Sequence, residues 1–194
     1  MISNLSRYLI LNNITNSRII SAFDSVERNK YLPSDIKSDV GIEQSLLIAS
    51  SRYILDYATL AHILKLIENH KAENIIILGS QLGYLYNLLI EMGFLNKIFI
   101  VEENSKLYDL TKEHINSNNI LVNSIDSLTI PKNSFCIKTQ FSLDPKDIML
   151  KHNNINNIVY INNAAHFVTE LRLASRLEGN EIKDEFIRNM LYCK

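Results

Sequence analysis

The amino-acid sequence predicts an α/β fold: a mostly parallel sheet with helices on both faces, preceded by a helical extension. Three observations predict it. An unbroken apolar run, NIIIL at 74–78, has the character of a strand buried on both sides. It stops at Gly79, and past Gly83 an apolar helical pattern starts, YLYNLLIEMG at 84–93. Strand-like and helix-like segments then alternate, the pattern of parallel strands joined by right-handed crossovers.

In chain order, residues 1–30 read as helical, with Thr15 or Asn16 as an N-cap and Ile19, Ile20, Phe23 and Val26 as an apolar stripe that Pro33 ends. Residues 34–51 read as loop with a short extended piece. Residues 52–70 read as one helix, with Ile54, Tyr57, Leu60, Ala61, Leu64 and Ile67 on one face. After strand 74–78 and helix 84–93, closed by Gly93, come a strand at 97–103, a helix at 105–118 and a short strand at 119–123. The segment 124–155, with Pro131 and Pro145, shows no clear period. A strand is predicted at 156–162, a helix at 168–177 and a last strand starting in 179–186. The whole chain, 1–194, reads as one domain, a helical cap over 1–70 and an α/β core over 71–194.

Composition narrows the function classes. A net charge of −1, with no dense Lys/Arg run, gives no field for nucleic acid or an anionic membrane. No apolar stretch is long enough to span a bilayer, and MISNLSRYLILNN lacks the layout of a signal peptide. Cys136 and Cys193 form no CxxC pair and read as reduced thiols of a cytoplasmic protein. The five histidines show no HxH or HExxH spacing, so no metal site is expected.

In a doubly wound sheet, ligands sit beyond the carboxyl ends of the strands where strand order reverses. Gly79 and Gly83 belong to the turn facing that crevice, and Glu102, roughly 20 residues on, is placed to take ribose hydroxyls. Glu103 is expected to point to the other side of the strand. The middle glycine of the usual fingerprint is replaced by Gln81, and Ile77 stands where an acid is often found. The bland alternative is a plain strand-to-helix turn beside an ordinary exposed glutamate.

Taken together, residues 1 to about 182 resemble the protein-L-isoaspartate O-methyltransferases, with a divergent alphaproteobacterial branch the most similar. The carriers are NNITNSRIISAFDSVERNKYLP at the start, SRYILDYATLAHILKLI before the first core strand, NIIILGSQLGY, IFIVEENSKLYDL, IVYINNAAHFVTEL at a fourth strand, and LEGN before a fifth. The resemblance implies a Rossmann-like, S-adenosylmethionine-dependent methyltransferase fold. It implies methyl transfer to the free carboxylate of isoaspartyl residues in damaged proteins, which are repaired through a succinimide. On that basis Gly79, Ser80, Gln81, Gly83, Tyr84, Glu102 and Asp126 are the cofactor residues. Ser50 falls on the serine that binds the substrate carboxylate, with Ser51 one residue on and Arg52 at the family's proline. The alternative for both serines is to cap a helix starting near Arg52. His166 would lie near the crevice mouth, as a surface histidine or a base.

Three departures from the family pattern are expected, one of them a stretch from Asp126 to Asn157 longer than the family's usual spacing, which bears on Asp126 as an adenine contact. The degenerate loop leaves open a non-catalytic relative that has lost cofactor binding and acts as an interaction module; a small-molecule methyltransferase is a third reading. The chain reads as truncated after the fifth strand, without the family's antiparallel pair, leaving a sheet edge for a dimer mate or partner to cover.

Overall fold

The computed structural model describes residues 3–34, 36, 45–49, 52–94, 97–116, 120–139, 143–165 and 168–190. Two N-terminal helices open the fold, α1 (Asn4–Leu11) and α2 (Ser17–Ser25). Ser3 caps α1 and Asn16 caps α2, each side-chain oxygen accepting backbone N–H groups of its first turn. Asp24 accepts from the Ser3 and Ser6 hydroxyls and ties the two helices together.

A two-stranded antiparallel ribbon follows, β1 (Leu46–Ala49) and β2 (Arg52–Ile54). Helix α3 (Tyr57–Asn69) starts later than the predicted Arg52, because Asp56 caps it: its carboxylate accepts from the Thr59 N–H at 2.9 Å and the Thr59 hydroxyl at 2.7 Å. With the cap at Asp56, the start near Arg52 that made Ser50 and Ser51 candidate caps does not exist.

The core is β3 (Asn74–Leu78), α4 (Tyr84–Glu91), β4 (Ile98–Val101), α5 (Ser105–Lys112), β5 (Ile120–Val122), β6 (Ser134–Lys138), α6 (Pro145–Lys151), β7 (Ile155–Ala165), β8 (Val168–Arg176) and β9 (Ile182–Met190). They form a seven-stranded sheet in the order β5-β4-β3-β6-β7-β8-β9. The first five are mutually parallel; β8 is antiparallel to both neighbours. Strand order reverses direction at β3, so the crevice at its carboxyl end is the topological switch point.

Alternation along the strands builds two apolar layers. Ile75, Ile77, Ile98, Ile100, Phe135, Ile137, Val159, Ile161, Leu171 and Leu173 pack with Leu9, Ile19, Phe23, Leu60, Leu64, Leu85 and Leu107 of α1 to α5. Ile76, Leu78, Val101, Cys136, Ile158 and Ala174 face the other way and pack with Ile148 and Met149 of α6. Helices thus cover both faces, as predicted.

Four expectations are corrected in the second half. The unpatterned segment 124–155 contains β6, a central strand buried along its whole length, and α6. IVYIN therefore belongs to the fifth core strand, not the fourth. The predicted helix 168–177 is β8: Leu171 and Leu173 enter one core while Arg172 faces away, and full-length pairing with β7 and β9 overrides the local helical spacing. The antiparallel pair expected to be missing is β8 and β9, the turn containing LEGN links them, and β8 covers the edge beside β7 that was left to a partner.

Candidate active site

The crevice is assembled from the carboxyl ends of β3, β4 and β6. Gly79 leaves β3 at φ 92°, a left-handed conformation glycine reaches without penalty. Its N–H donates to the Val101 carbonyl, and its own carbonyl accepts from the Thr139 hydroxyl at 3.1 Å. Thr139, just past β6, also donates its N–H and hydroxyl to the Leu78 carbonyl, locking the start of the loop. No sequence signal pointed to Thr139, because the strand before it was itself not recognised.

Glu102 sits at the end of β4 with 1% exposure. One carboxylate oxygen, Oε2, accepts from the Ser80 N–H at 3.0 Å and the Ser80 hydroxyl at 2.9 Å. The other, Oε1, accepts from the Asn104 N–H at 3.0 Å. Thr111 of α5 donates to the Ser80 hydroxyl oxygen at 2.7 Å, so the serine is held from both sides. Burying a charge is tolerated when donors surround it, and here three do. Arg52 of β2 adds a fourth partner, its Nε 3.7 Å from Glu102 Oε1 and its Nη2 3.8 Å from Glu103 Oε2. The two adjacent acids, expected on opposite sides, thus meet the same guanidinium. Asn104 caps α5 through its side chain, which fixes the segment that carries its N–H.

The turn between Ser80 and α4 is unusual. Gln81 and Leu82 both have left-handed backbones, φ 52° and φ 53°, ahead of Gly83 at φ 83°. Each non-glycine residue there costs on the order of 1 kcal/mol. The compensation is visible. Leu82 is buried in the core. Gln81 is 3% exposed; its amide accepts from the Leu55 N–H at 2.8 Å and donates to the Tyr53 carbonyl, stapling the loop to β2 and the residue that follows it.

The other sequence-predicted cofactor residues are spread more widely. A Cβ on Gly83 would stand 3.0 Å from His114 Cβ and 3.5 Å from Ile115 Cγ2, so this glycine admits the turn that follows α5. Tyr84 is fully buried, its ring against Tyr31 and Tyr57, and burial pushes its phenol pKa well up. Asp126, in the turn after β5, turns its exposed carboxylate to α6, 2.7 Å from Lys151 Nζ, with His152 at 3.7 Å. The Lys151 hydrogen bond holds its pKa below the usual carboxylate value. So the structure brings Gly79, Ser80 and Glu102 together; Gln81, Gly83 and Tyr84 turn into the packing behind the loop, and Asp126 points to a neighbouring helix. Ser50, Ser51 and His166 lie outside the described residues.

Lys138 closes β6 on the α6 side, 3% exposed, where burial pulls its pKa down to about 8 against the opposing pull of Cys136 and Asp144. Among the described residues no group of three His, Cys, Asp or Glu side chains is placed to hold a metal, and no helix is long and apolar enough to cross a membrane.

Comparison with known proteins bears on the fold and the family. No curated protein sequence matches the chain. Among solved structures, one assigned as a protein-L-isoaspartate O-methyltransferase from Plasmodium falciparum, in complex with S-adenosyl-L-homocysteine, superposes with a TM-score of 0.71 at 18% identity, covering 98% of this chain and 96% of that one. At that identity it shows a shared fold. DesVI of Streptomyces venezuelae (TM-score 0.41, 11% identity, 70% of this chain and 77% of that one) and an S-adenosylmethionine-dependent methyltransferase of Clostridium acetobutylicum (0.39, 11%, 71% and 76%) are looser likenesses that carry no weight. The profile of the family described as Protein-L-isoaspartate(D-aspartate) O-methyltransferase (PCMT) matches residues 1–130, which hold the helical extension, the Gly79 turn and Glu102. With 130 of 194 residues matched, the chain belongs to the protein-L-isoaspartate(D-aspartate) O-methyltransferase family.

Proposed function

We propose that the protein binds S-adenosylmethionine in the crevice at the ends of β3 and β4 and methylates isoaspartyl carboxylates in damaged proteins, as a cytoplasmic repair enzyme. The observation that carries this is the convergence of the Gly79 turn and the Glu102 carboxylate, joined through Ser80, at the switch point of the sheet. Donor chemistry fits the cofactor. Glu102 is an acceptor for a ribose hydroxyl. Gly79 bends the backbone away from the crevice end of β3, and Thr139 holds that bend.

When bound against Gly79, Ser80 and Glu102, S-adenosylmethionine would supply an electrophilic methyl group for a substrate carboxylate oxygen, with S-adenosylhomocysteine as the leaving product. No general base is needed, because a carboxylate is already ionised at neutral pH. The chain's part is to position the reactants and exclude water. Ser80 and Asn104 hold Glu102 in one orientation, so the acid is pre-organised. By the family resemblance, Ser50 meets the substrate carboxylate.

Calorimetric titration with S-adenosylhomocysteine tests the binding half, and methyl transfer to an isoaspartyl peptide tests the rest. Absence of binding at about millimolar ligand would sink both. One observation favours the second reading, a non-catalytic relative serving as an interaction module: Arg52 already lies against Glu102. A protein that melts cooperatively yet binds no cofactor would decide for it.

A further inference from the structure

We propose that Arg52 determines cofactor affinity by competing with the ribose for Glu102, with Glu103 as the alternative partner to which it withdraws. The inference rests on the proposed cofactor site and deepens it.

A carboxylate oxygen offers about two acceptor positions. On Glu102, Oε2 has both taken, by the Ser80 N–H and the Ser80 hydroxyl. Oε1 has one taken, by the Asn104 N–H. One acceptor position remains, and the Arg52 guanidinium lies against that same oxygen, Nε to Oε1 3.7 Å. A ribose hydroxyl that bonds Glu102 must therefore move Arg52 or break one of the three bonds that orient the acid. Moving Arg52 is the cheaper route. Its 3.7 Å separation exceeds a hydrogen bond, and its buried Nε has no hydrogen-bond partner. The Ser80 and Asn104 bonds are all 3.0 Å or shorter.

Where Arg52 goes is also set. The Gln81 amide grips the Tyr53 carbonyl and the Leu55 N–H, so the backbone just after Arg52 is fixed to the cofactor loop. The side chain must do the moving. Glu103 stands 3.8 Å from Nη2 with a side chain 45% exposed, ready to take the full ion pair in a bidentate form. Charge stays balanced throughout, since the guanidinium passes from one carboxylate toward the next. Arg52 thus taxes binding by the strength of its hold on Glu102, and Glu103 refunds part of it.

Calorimetry with S-adenosylhomocysteine on the wild type, Arg52→Gln and Glu103→Gln is the test, each variant first checked for a wild-type melting transition. Arg52→Gln is expected to bind about threefold to tenfold tighter, the range for a loosely held, partly buried ion pair. Glu103→Gln is expected to bind about twofold to fivefold weaker, because Arg52 loses its refuge. S-adenosylhomocysteine lacking the ribose 2′- and 3′-hydroxyls is expected to show no difference among the three proteins. Binding by the wild type with Arg52→Gln unchanged or weaker overturns the competition and leaves the cofactor site standing. Binding by Arg52→Gln alone supports both. If Arg52→Gln fails to fold, Glu103→Gln decides, and affinity unchanged there overturns the proposal. No binding by any of the three overturns the cofactor site and this inference together.

Discussion

The two halves of the sheet were built from different kinds of sequence. In β3 and β4 the strands are runs of isoleucine, leucine, phenylalanine and valine after the opening Asn74, and every residue of β3 is buried. In β6 the burial is as deep but the composition is mixed, and in β8 buried and half-buried residues are interspersed. SFCIK places Ser134 and Lys138 out of solvent, and VTELRLASR carries two arginines and a glutamate. The family profile ends at residue 130, just before this second half, while the overall fold continues through it. A strand can thus keep its place in a sheet after losing the composition that announces it, provided its neighbours pair with it on both sides.

That contrast can be broken by mutation. If β8 is a core strand, Leu171→Ala should cost about 3 kcal/mol in a denaturant titration, because Leu171 is fully buried between the sheet and the helices. A cost below about 1 kcal/mol would restore the helical reading of 168–177. In the first half, Glu102→Gln should lower S-adenosylhomocysteine affinity tenfold or more and destabilise the fold by about 2 kcal/mol, since Ser80 and Asn104 would face a weaker acceptor. Unchanged affinity by calorimetry would move the ribose acid elsewhere. Gly83→Ala should cost about 2 kcal/mol, from positive φ and the 3.0 Å approach to His114 together; a wild-type melting temperature would refute the packing role.

The smallest effect comes from Lys138. Its folded pKa is about 8, below the model-peptide 10.5, so below pH 8 the folded state holds a proton against burial. The stability cost is full there and is relieved as pH rises from about 8 toward 10.5, because the unfolded chain then binds more protons than the folded one. Lys138→Met should therefore abolish the rise in stability that the wild type shows between about pH 8 and pH 10.5. A wild-type stability that stays flat across that window would show that Lys138 titrates alike in the folded and unfolded chains.

Much of the site was legible before folding. Gly79 and Glu102 follow from a glycine turn after an apolar strand and an acid at the end of the next, both local features. Asn16 as a cap and Gly93 as a helix terminator are local too, decided by their own backbone and its nearest N–H and C=O groups. Thr139 in the crevice, and Arg52 as a neighbour of Glu102, were not legible, because each reaches its place from a distant segment.

By itself the sequence determined the α/β class, the switch-point turn and the helical extension, which rest on apolar periodicity and short-range spacing, while the family came from the resemblance of several segments taken in order. Only the tertiary structure decided that Gly83 sits against the turn after α5, that Gln81 grips the strand beside it, that Arg52 lies against Glu102, and that β8 is a strand. Those outcomes depend on which atoms from remote segments occupy the same few ångströms, and pairing partners, competing charges and steric gaps have no signature in the order of residues alone.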